Sequence, residues 1–211
     1  MIYDNNFAVI DLETGGFSAE KNPITEIAII FLDTNLEEIY RYESLVKNYN
    51  GLFYSPEAQK VTGIIPELLE KEGREIKDIV DELTEAFSML KMGKYKKIQM
   101  VGHNFKSFDS PFLEYAFEFC EKNLYSVVDS FMWDTMCISR LKWGLDDTMK
   151  NHKLSTCCQK SGFNLVDAHR AMPDTEATMR LFKYFANCFR ESTVIVKEEK
   201  KEERFRDTFE I

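Results

Sequence analysis

The segment that most constrains the fold is Phe7–Gly16, which reads FAVIDLETGG. An apolar run of strand-forming residues ends there in two carboxylates, Asp11 and Glu13, separated by one residue. Side chains alternate along a β-strand, so these two point to the same side. Because like charges held this close repel each other, their presence on a buried strand indicates a divalent cation such as Mg²⁺ or Mn²⁺ between them. The alternative is a solvated strand end that carries an acidic pair by chance.

The length and composition predict one domain and a tail. A chain of 211 residues, 44% of them apolar, can form one sizeable core. We expect a domain over residues 1–192 and a flexible tail over residues 193–211, which contain the charge run Lys197–Arg204. We expect a cytoplasmic protein with no membrane partner, because the sequence has neither an apolar stretch of ~18 residues nor a secretory signal. The five cysteines lack Cys-x-x-Cys spacing, which predicts reduced thiols.

The predicted elements run strands first, then helices interleaved with short strands. This order favours an α/β fold, with a mixed central β-sheet of about five strands flanked by helices. After the first strand, we predict strands at 23–32, 38–46, 98–101 and from 127, and helices at 55–63, 76–90, 108–119, 133–143, 154–162 and from 173.

Two further motifs carry groups suited to chemistry. Asp109 lies where the strand at 98–101 gives way to a helix, and His169 lies five residues before Asp174, at the start of the last helix. Ligand sites in such sheets lie at the ends of central strands. We therefore expect these residues to meet Asp11 and Glu13 in one cavity. Such a set of carboxylates and one imidazole can hold two divalent cations on a phosphodiester and deprotonate a water.

In this order, the three motifs resemble those of the DEDDh family of 3′-5′ exonucleases. The family includes the proofreading epsilon subunit of DNA polymerase III, ribonuclease T and the Trex enzymes. The resemblance spans about Phe7 to Arg190. It rests on Asp11-Leu-Glu13, on His103-Asn104 with Phe108-Asp109, and on His169 with Asp174, and it is supported by Val61–Ile64 and Asp134-Thr135.

The resemblance implies a ribonuclease H-like fold and a two-metal-ion mechanism. It implies that Asp11, Glu13, Asp109 and Asp174 bind two Mg²⁺ or Mn²⁺ ions and that His169 is the general base. Such enzymes release nucleoside 5′-monophosphates from a 3′ end, in DNA repair or proofreading. The residues that the resemblance assigns to substrate binding are Leu12, Thr14, Gly15, Gly16, His103, Asn104 and Phe108.

Two departures from the family pattern bear on subfamily and substrate. Asn104 and Asp109 are five residues apart, one more than in the commonest version, which is more similar to the Trex branch. The first motif ends in Thr14-Gly15-Gly16, where Thr-Thr-Gly is more usual. Neither departure removes an implied metal ligand.

The expected partner is the 3′ end of a nucleic acid, with single-stranded DNA favoured over RNA. The formal net charge of −9 argues against a broad basic face, but an enzyme that grips a few terminal nucleotides needs only a local cationic path. Three alternatives stay open: an exoribonuclease of the same family, a non-catalytic subunit that binds nucleic-acid ends, and association as a homodimer or with a polymerase.

Overall fold

The computed structural model describes the backbone of residues 4–166 and 168–209 and the side chains of residues 4–166 and 168–191. Within these ranges the chain folds into strands and α-helices, joined in two places by short 3₁₀ turns at Phe105–Ser107 and Leu124–Ser126. The strands are β1 (Phe7–Thr14), β2 (Ile24–Leu32), β3 (Glu38–Leu45), β4 (Ile98–Gly102) and β5 (Val128–Asp134). The helices are α1 (Pro56–Thr62), α2 (Pro66–Glu72), α3 (Ile76–Leu90), α4 (Asp109–Phe119), α5 (Thr135–Trp143), α6 (Leu154–Lys160) and α7 (Ala171–Phe209).

The five strands form one mixed sheet in the order β3-β2-β1-β4-β5. β1, β2 and β3 pair as an antiparallel meander, whereas β4 and β5 run parallel to β1. The core lies on both faces of the sheet: α7 packs on one face, and α3 and α4 pack on the other. This arrangement confirms the predicted mixed sheet flanked by helices.

The alternation of side chains along β1 decides where its carboxylates lie. Phe7 and Val9 face α7, and the rings of Phe7 and Phe182 are 5.3 Å apart between centroids. Ala8 and Ile10 face the opposite core. Side chains alternate along a strand, so Asp11 and Glu13, which lie two and four residues after Val9, point to the same side of the sheet as α7.

Most local predictions are confirmed, because they rest on local signals. The hydroxyl oxygen of Ser55 caps α1 by accepting a hydrogen bond from the Ala58 backbone N–H at 3.1 Å, and Gly63 ends the helix with φ of 71°. Helix α3 has the predicted bounds, Ile76–Leu90. The sequence does not predict helix α2, because Ile65 before it offers no side-chain cap of the kind that Ser55 provides for α1.

Helix α7 begins at Ala171, two residues before the predicted start, and its backbone is helical to Phe209. The helix therefore runs into residues 193–209, where the composition predicts a flexible tail. Side chains beyond residue 191 lie outside the described residues. The domain boundary at residue 192 and the flexibility of the tail stay predictions.

Two predictions concern the cellular environment of the chain. All five cysteines lie in the described ranges and form no disulfide there. None of the helices in the described ranges combines the length and apolar character needed to cross a membrane. The cytoplasmic location stays a prediction.

Candidate active site

Three carboxylates that are far apart in sequence converge beneath the start of α7. Asp11 and Glu13 project from β1, and Asp174 lies in the first turn of α7. Each offers one oxygen, and these oxygens all lie within 4.8 Å of one another. The spacing suits a shared cation, because without one the three charges would repel each other.

Asp109 approaches the same strand from the other side of the sheet. It is buried and is the first residue of α4, and its Oδ1 accepts a hydrogen bond from the backbone N–H of Leu12 at 3.2 Å. β4 pairs with β1 only at Phe7–Val9, so the later residues of β1 extend beyond β4. Asp109 therefore binds the strand between Asp11 and Glu13, although it is outside the group of three.

The environment of the cluster disfavours ionised carboxylates. Burial, followed by repulsion from neighbouring carboxylates, raises the pKa of Glu13 to about 8. Burial also raises the pKa of Asp109 to about 7, although the Leu12 N–H opposes this by stabilising the carboxylate. The pKa values of Asp11 and Asp174 are raised, again chiefly by burial. Such a concentration of shifted pKa values is typical of a functional site.

The cluster fits a divalent cation. Within the described part of the chain, the buried Oδ1 of Asp174 has no hydrogen-bond partner. Its other oxygen, Oδ2, accepts the backbone N–H of His169 at 3.1 Å. A buried, unpartnered oxygen among other carboxylate oxygens is what a hard cation such as Mg²⁺ or Mn²⁺ requires.

The metal-free protein is expected to lose stability as the pH rises from 5 to 8. The folded-state pKa values of Glu13 (about 8) and Asp109 (about 7) exceed their ordinary values, so folding favours the protonated forms. Their contribution to stability is complete below about pH 4 and is lost as the pH rises through 7 and 8. The Tm in EDTA should fall by several degrees, because about 1 kcal/mol shifts the Tm of a chain this size by roughly 2–4 °C.

Thermal unfolding followed by circular dichroism at pH 5, 6, 7 and 8 tests this. Asp11→Asn should flatten the dependence, because it removes a carboxyl group whose own pKa is raised by burial and by neighbouring carboxylates. Asp78→Asn, which removes an exposed carboxylate on α3, controls for the effect of net charge and should not flatten it. A Tm that is constant or rises with pH in EDTA would contradict the electrostatic account.

His169 lies directly beside this cluster. It is exposed, it precedes α7, and its φ of 71° places the backbone in the left-handed region that favours glycine. Its backbone N–H is held by Asp174, as described above. Strain of this kind at a non-glycine residue often marks a functional position.

A cleft of about 250 Å³ adjoins the cluster at the end of β1. Glu13 and His169 contribute to its lining, and so do four of the residues that the sequence assigns to substrate binding, which are Leu12, Thr14, Gly16 and Phe108. Helix α1 contributes the opposite wall through Val61 and Thr62. The cleft therefore connects most of the predicted substrate residues to the carboxylates.

Phe17 belongs to this cleft and was not predicted. Its ring is 91% exposed, and it meets the ring of Phe108 edge to face at 6.3 Å between centroids. An apolar ring exposed to this degree beside a cleft is available for a ligand. The sequence signal was an aromatic residue inside an otherwise small and polar turn.

Gly15, also assigned to substrate binding, lies outside the residues that line the cleft, so this assignment stays a prediction. Its backbone N–H donates to the carbonyl of Pro23 at 2.7 Å, and its carbonyl accepts the N–H of Ser55 at 2.8 Å. Both polar groups are therefore used within the protein. A Cβ at Gly15 would lie 2.6 Å from the Pro23 ring, so close packing of the turn accounts for this glycine.

His103 and Asn104 also lie outside the residues that line the cleft. The Nδ1 of His103 is 2.9 Å from the Thr135 hydroxyl, and its Nε2 is 2.9 Å from the His152 carbonyl. The Asn104 N–H donates to Asp134 at 3.1 Å. These contacts join the second motif to α5 and to the loop before α6, so their assignment to substrate binding stays a prediction.

Comparison with known protein families gives a match that spans the sheet and all three motifs. Residues 8–182 match the family model RNase_T, described as Exonuclease. This chain belongs to the RNase_T exonuclease family. The match covers the three motifs and every residue of the carboxylate cluster, and it confirms the DEDDh resemblance seen in the sequence.

Among curated proteins, this family member is similar to DNA polymerases III of the PolC type and to ribonuclease T. It is 33% identical over 180 residues to DNA polymerase III PolC-type of Halalkalibacterium halodurans. The alignment covers 85% of this chain but 11% of the polymerase. It is 30% identical over 189 residues to ribonuclease T of Haemophilus influenzae, which covers 85% of this chain and 78% of the relative. The chain therefore spans about a ninth of the polymerase relatives.

Among solved structures, the family member is similar to exonuclease I of E. coli. The complex of that enzyme with a dT13 oligonucleotide aligns with a TM-score of 0.73 and 22% identity, over 84% of this chain and 40% of the other. The zinc-bound form of its complex with single-stranded DNA aligns with a TM-score of 0.74 and 20% identity, over 85% and 40%. At this identity the likeness establishes the ribonuclease H-like fold.

Proposed function

We propose that this chain is a metal-dependent 3′-5′ exonuclease that removes nucleoside 5′-monophosphates from single-stranded DNA. The observation that carries the proposal is the juxtaposition of three clustered carboxylates with a cleft of about 250 Å³ that His169 helps to line. Family membership supports the reaction class.

In this proposal, Asp11, Glu13 and Asp174 hold the cations, and Asp109 completes the set for a second ion. Two Mg²⁺ or Mn²⁺ ions would supply Lewis-acid activation of a water and neutralisation of the phosphodiester charge. The cluster itself is strongly acidic, and the net charge of the chain is −9. Without cations these carboxylates would repel the phosphate, which explains why the proposed activity depends on metal.

His169 is the proposed general base. It is exposed and contributes to the cleft, so a water above the carboxylates can reach its imidazole. Its backbone is anchored to Asp174, which fixes the base relative to one of the proposed ligands. In its neutral form the imidazole accepts a proton from the attacking water.

The cleft is suited to one terminal nucleotide. Its volume of about 250 Å³ is slightly below the range of about 300–1,000 Å³ typical of small-ligand sites, which favours a ligand the size of one nucleotide. Phe17 and Phe108 offer aromatic surface on which a base can stack. Leu12 and Val61 provide apolar contact on the two walls.

The names of the relatives support a choice of substrate. The exonuclease I structures contain single-stranded DNA oligonucleotides, and the polymerase relatives are DNA polymerases. Ribonuclease T, of which this chain covers most of the length, makes RNA the second candidate. We therefore place single-stranded DNA first.

A covalently closed circle of single-stranded DNA is expected to resist digestion, because it has no 3′ end to enter the cleft. The matched linear strand should release mononucleotides from its 3′ end in the presence of Mg²⁺ or Mn²⁺. Both substrates, and an RNA strand of the same sequence, are incubated with the purified protein and analysed by denaturing electrophoresis.

Reactions with EDTA and with Asp11→Asn protein identify any contaminating nuclease. Cutting of the circle as fast as the linear strand would make the protein an endonuclease. Tight binding of 3′ ends without release of any mononucleotide would favour the non-catalytic alternative.

A further inference from the structure

Glu26 is a fully buried carboxylate beside the cluster that the proposed mechanism does not use. It lies on β2 directly opposite Glu13 of β1, and it is 1% exposed. Alternate residues of β2, such as Ala28 and Ile30, pack on the α7 side of the sheet, so Glu26 belongs to the same side. Its charge contributes to the raised pKa values of Asp11, Glu13 and Asp174. Such a costly residue must have compensating contacts.

Within the described part of the chain, the hydrogen bonds that Glu26 accepts come from the segment that precedes and begins α7. The Nε of Arg170 donates to Oε1 and Oε2 at 3.2 and 3.1 Å, and its Nη2 donates to Oε1 at 2.6 Å. The backbone N–H of Ala171, the first residue of α7, donates to Oε2 at 2.9 Å. Both oxygens are therefore occupied, which argues against Glu26 as a metal ligand.

These contacts immediately flank the strained residue His169. Its N–H is held by Asp174 on one side, and the next two residues are held by Glu26 on the other. A non-glycine residue with φ of 71° keeps that conformation only where its surroundings impose it. A bidentate, charge-assisted pair gives the required directional constraint.

We infer that Glu26 is a positioning residue that, through Arg170 and the N–H of Ala171, holds His169 in its strained backbone conformation and so aims its imidazole at the cleft. The inference rests on the proposed function of His169 as the general base. It assigns to Glu26 no contact with substrate or metal.

Replacing Glu26 and replacing Arg170 should have different effects on the stability of the fold. The side chain of Arg170 is 48% exposed, so it can turn to solvent when Glu26 is replaced. Removal of Arg170 would instead leave a buried carboxylate without its partner, which is strongly destabilising. Glu26→Gln is therefore the better probe, since it keeps the shape, removes the charge and relieves repulsion within the cluster.

The experiment is a double-mutant cycle on single-turnover cleavage of a linear single-stranded oligonucleotide at saturating Mg²⁺. Glu26→Gln should lower the rate by about 10–100-fold, the cost of displacing a catalytic group by about 1 Å. In the His169→Ala background, Glu26→Gln should lower the cleavage rate by less than about a further threefold, because the effects of residues that act as a unit are not additive. Mn²⁺ affinity, measured by titration calorimetry, should stay within about threefold of wild type, since both Glu26 oxygens are occupied by Arg170 and Ala171 and neither is a proposed metal ligand.

Two further variants strengthen the test. Glu82→Gln makes the same substitution at a second Glu–Arg pair, with Arg74, on the opposite side of the sheet, and should leave the rate unchanged. Arg170→Lys keeps the positive charge beside Glu26 but loses the two-pronged hydrogen bonding of the guanidinium. It should therefore lower the rate in wild type and have little further effect in the His169→Ala background. It provides the measurement if Glu26→Gln fails to unfold cooperatively.

The outcomes separate this inference from the function on which it rests. A wild-type rate in Glu26→Gln, or losses that multiply fully in the double mutant, would overturn the positioning role while leaving His169 as the base. A wild-type rate in His169→Ala would refute the base itself, and the inference with it. A loss in Glu26→Gln that disappears in the His169→Ala background supports both.

Discussion

Replacing Asp11 with Asn is expected to remove nearly all turnover, by roughly 10³-fold or more. Loss of an outer partner of a metal ligand typically costs 10–100-fold, and Asp11 is proposed to be a ligand itself. Its carboxylate oxygen lies within 4.8 Å of those of Glu13 and Asp174, with which it would share a cation. Asp174→Asn should have the same effect, because it removes the oxygen that has no partner within the described structure.

The fold of both variants should survive, and in EDTA it should be more stable than wild type. Repulsion and burial oppose ionisation of this cluster, so a neutral amide relieves strain when no cation is bound. Titration calorimetry with Mn²⁺ should show two binding events in wild type and weakened binding in either variant. Asp78→Asn, at an exposed position on α3, is the matched control and should behave as wild type. Unchanged Mn²⁺ binding in both cluster variants would mean that the ligands are misassigned.

Replacing His169 with Ala is expected to lower turnover by roughly 10²–10⁴-fold, the usual contribution of a positioned general base. The base must be neutral to accept a proton from the attacking water. Wild-type activity should therefore rise with pH through the neutral range, and the variant should lose that rise. Metal binding should persist, because the four carboxylates are untouched.

Single-turnover cleavage against pH at saturating Mg²⁺ tests this role. His152→Ala is a suitable control, because it removes an imidazole whose Nδ1 contacts the Ser139 hydroxyl, away from the cleft. It should retain the rate and the pH dependence of wild type. If His169→Ala keeps the same pH limb with only a small loss of rate, the limb has another origin and His169 only orients the substrate.

Much of the fold was predictable because its signals are local. The apolar run before Asp11 and the period-two alternation of β1 predicted both the strand and the shared side of Asp11 and Glu13, as the structure confirms. Capping by Ser55 and termination by Gly63 set the bounds of α1. The order of the three motifs was sufficient to identify the family.

Other features depended on contacts between distant parts of the chain. Every residue of β2 is buried, so no alternation in its sequence shows which side Glu26 faces. Only the pairing of Glu26 with Glu13, and the packing of α7 on that side, bring it to Arg170, 144 residues away. An aromatic residue in a small and polar turn draws attention to Phe17, but only the structure shows that its ring is exposed at the cleft.

Signals within short segments of the sequence predict most of the elements, the mixed sheet and the groups capable of chemistry. The tertiary structure decided which of those groups meet. It brought Asp174 to Asp11 and Glu13, and it committed the polar groups of Gly15 and His103 to contacts within the protein. The physical reason is that alternation and capping are encoded within a few residues, whereas strand register and helix docking depend on the packing of the whole core.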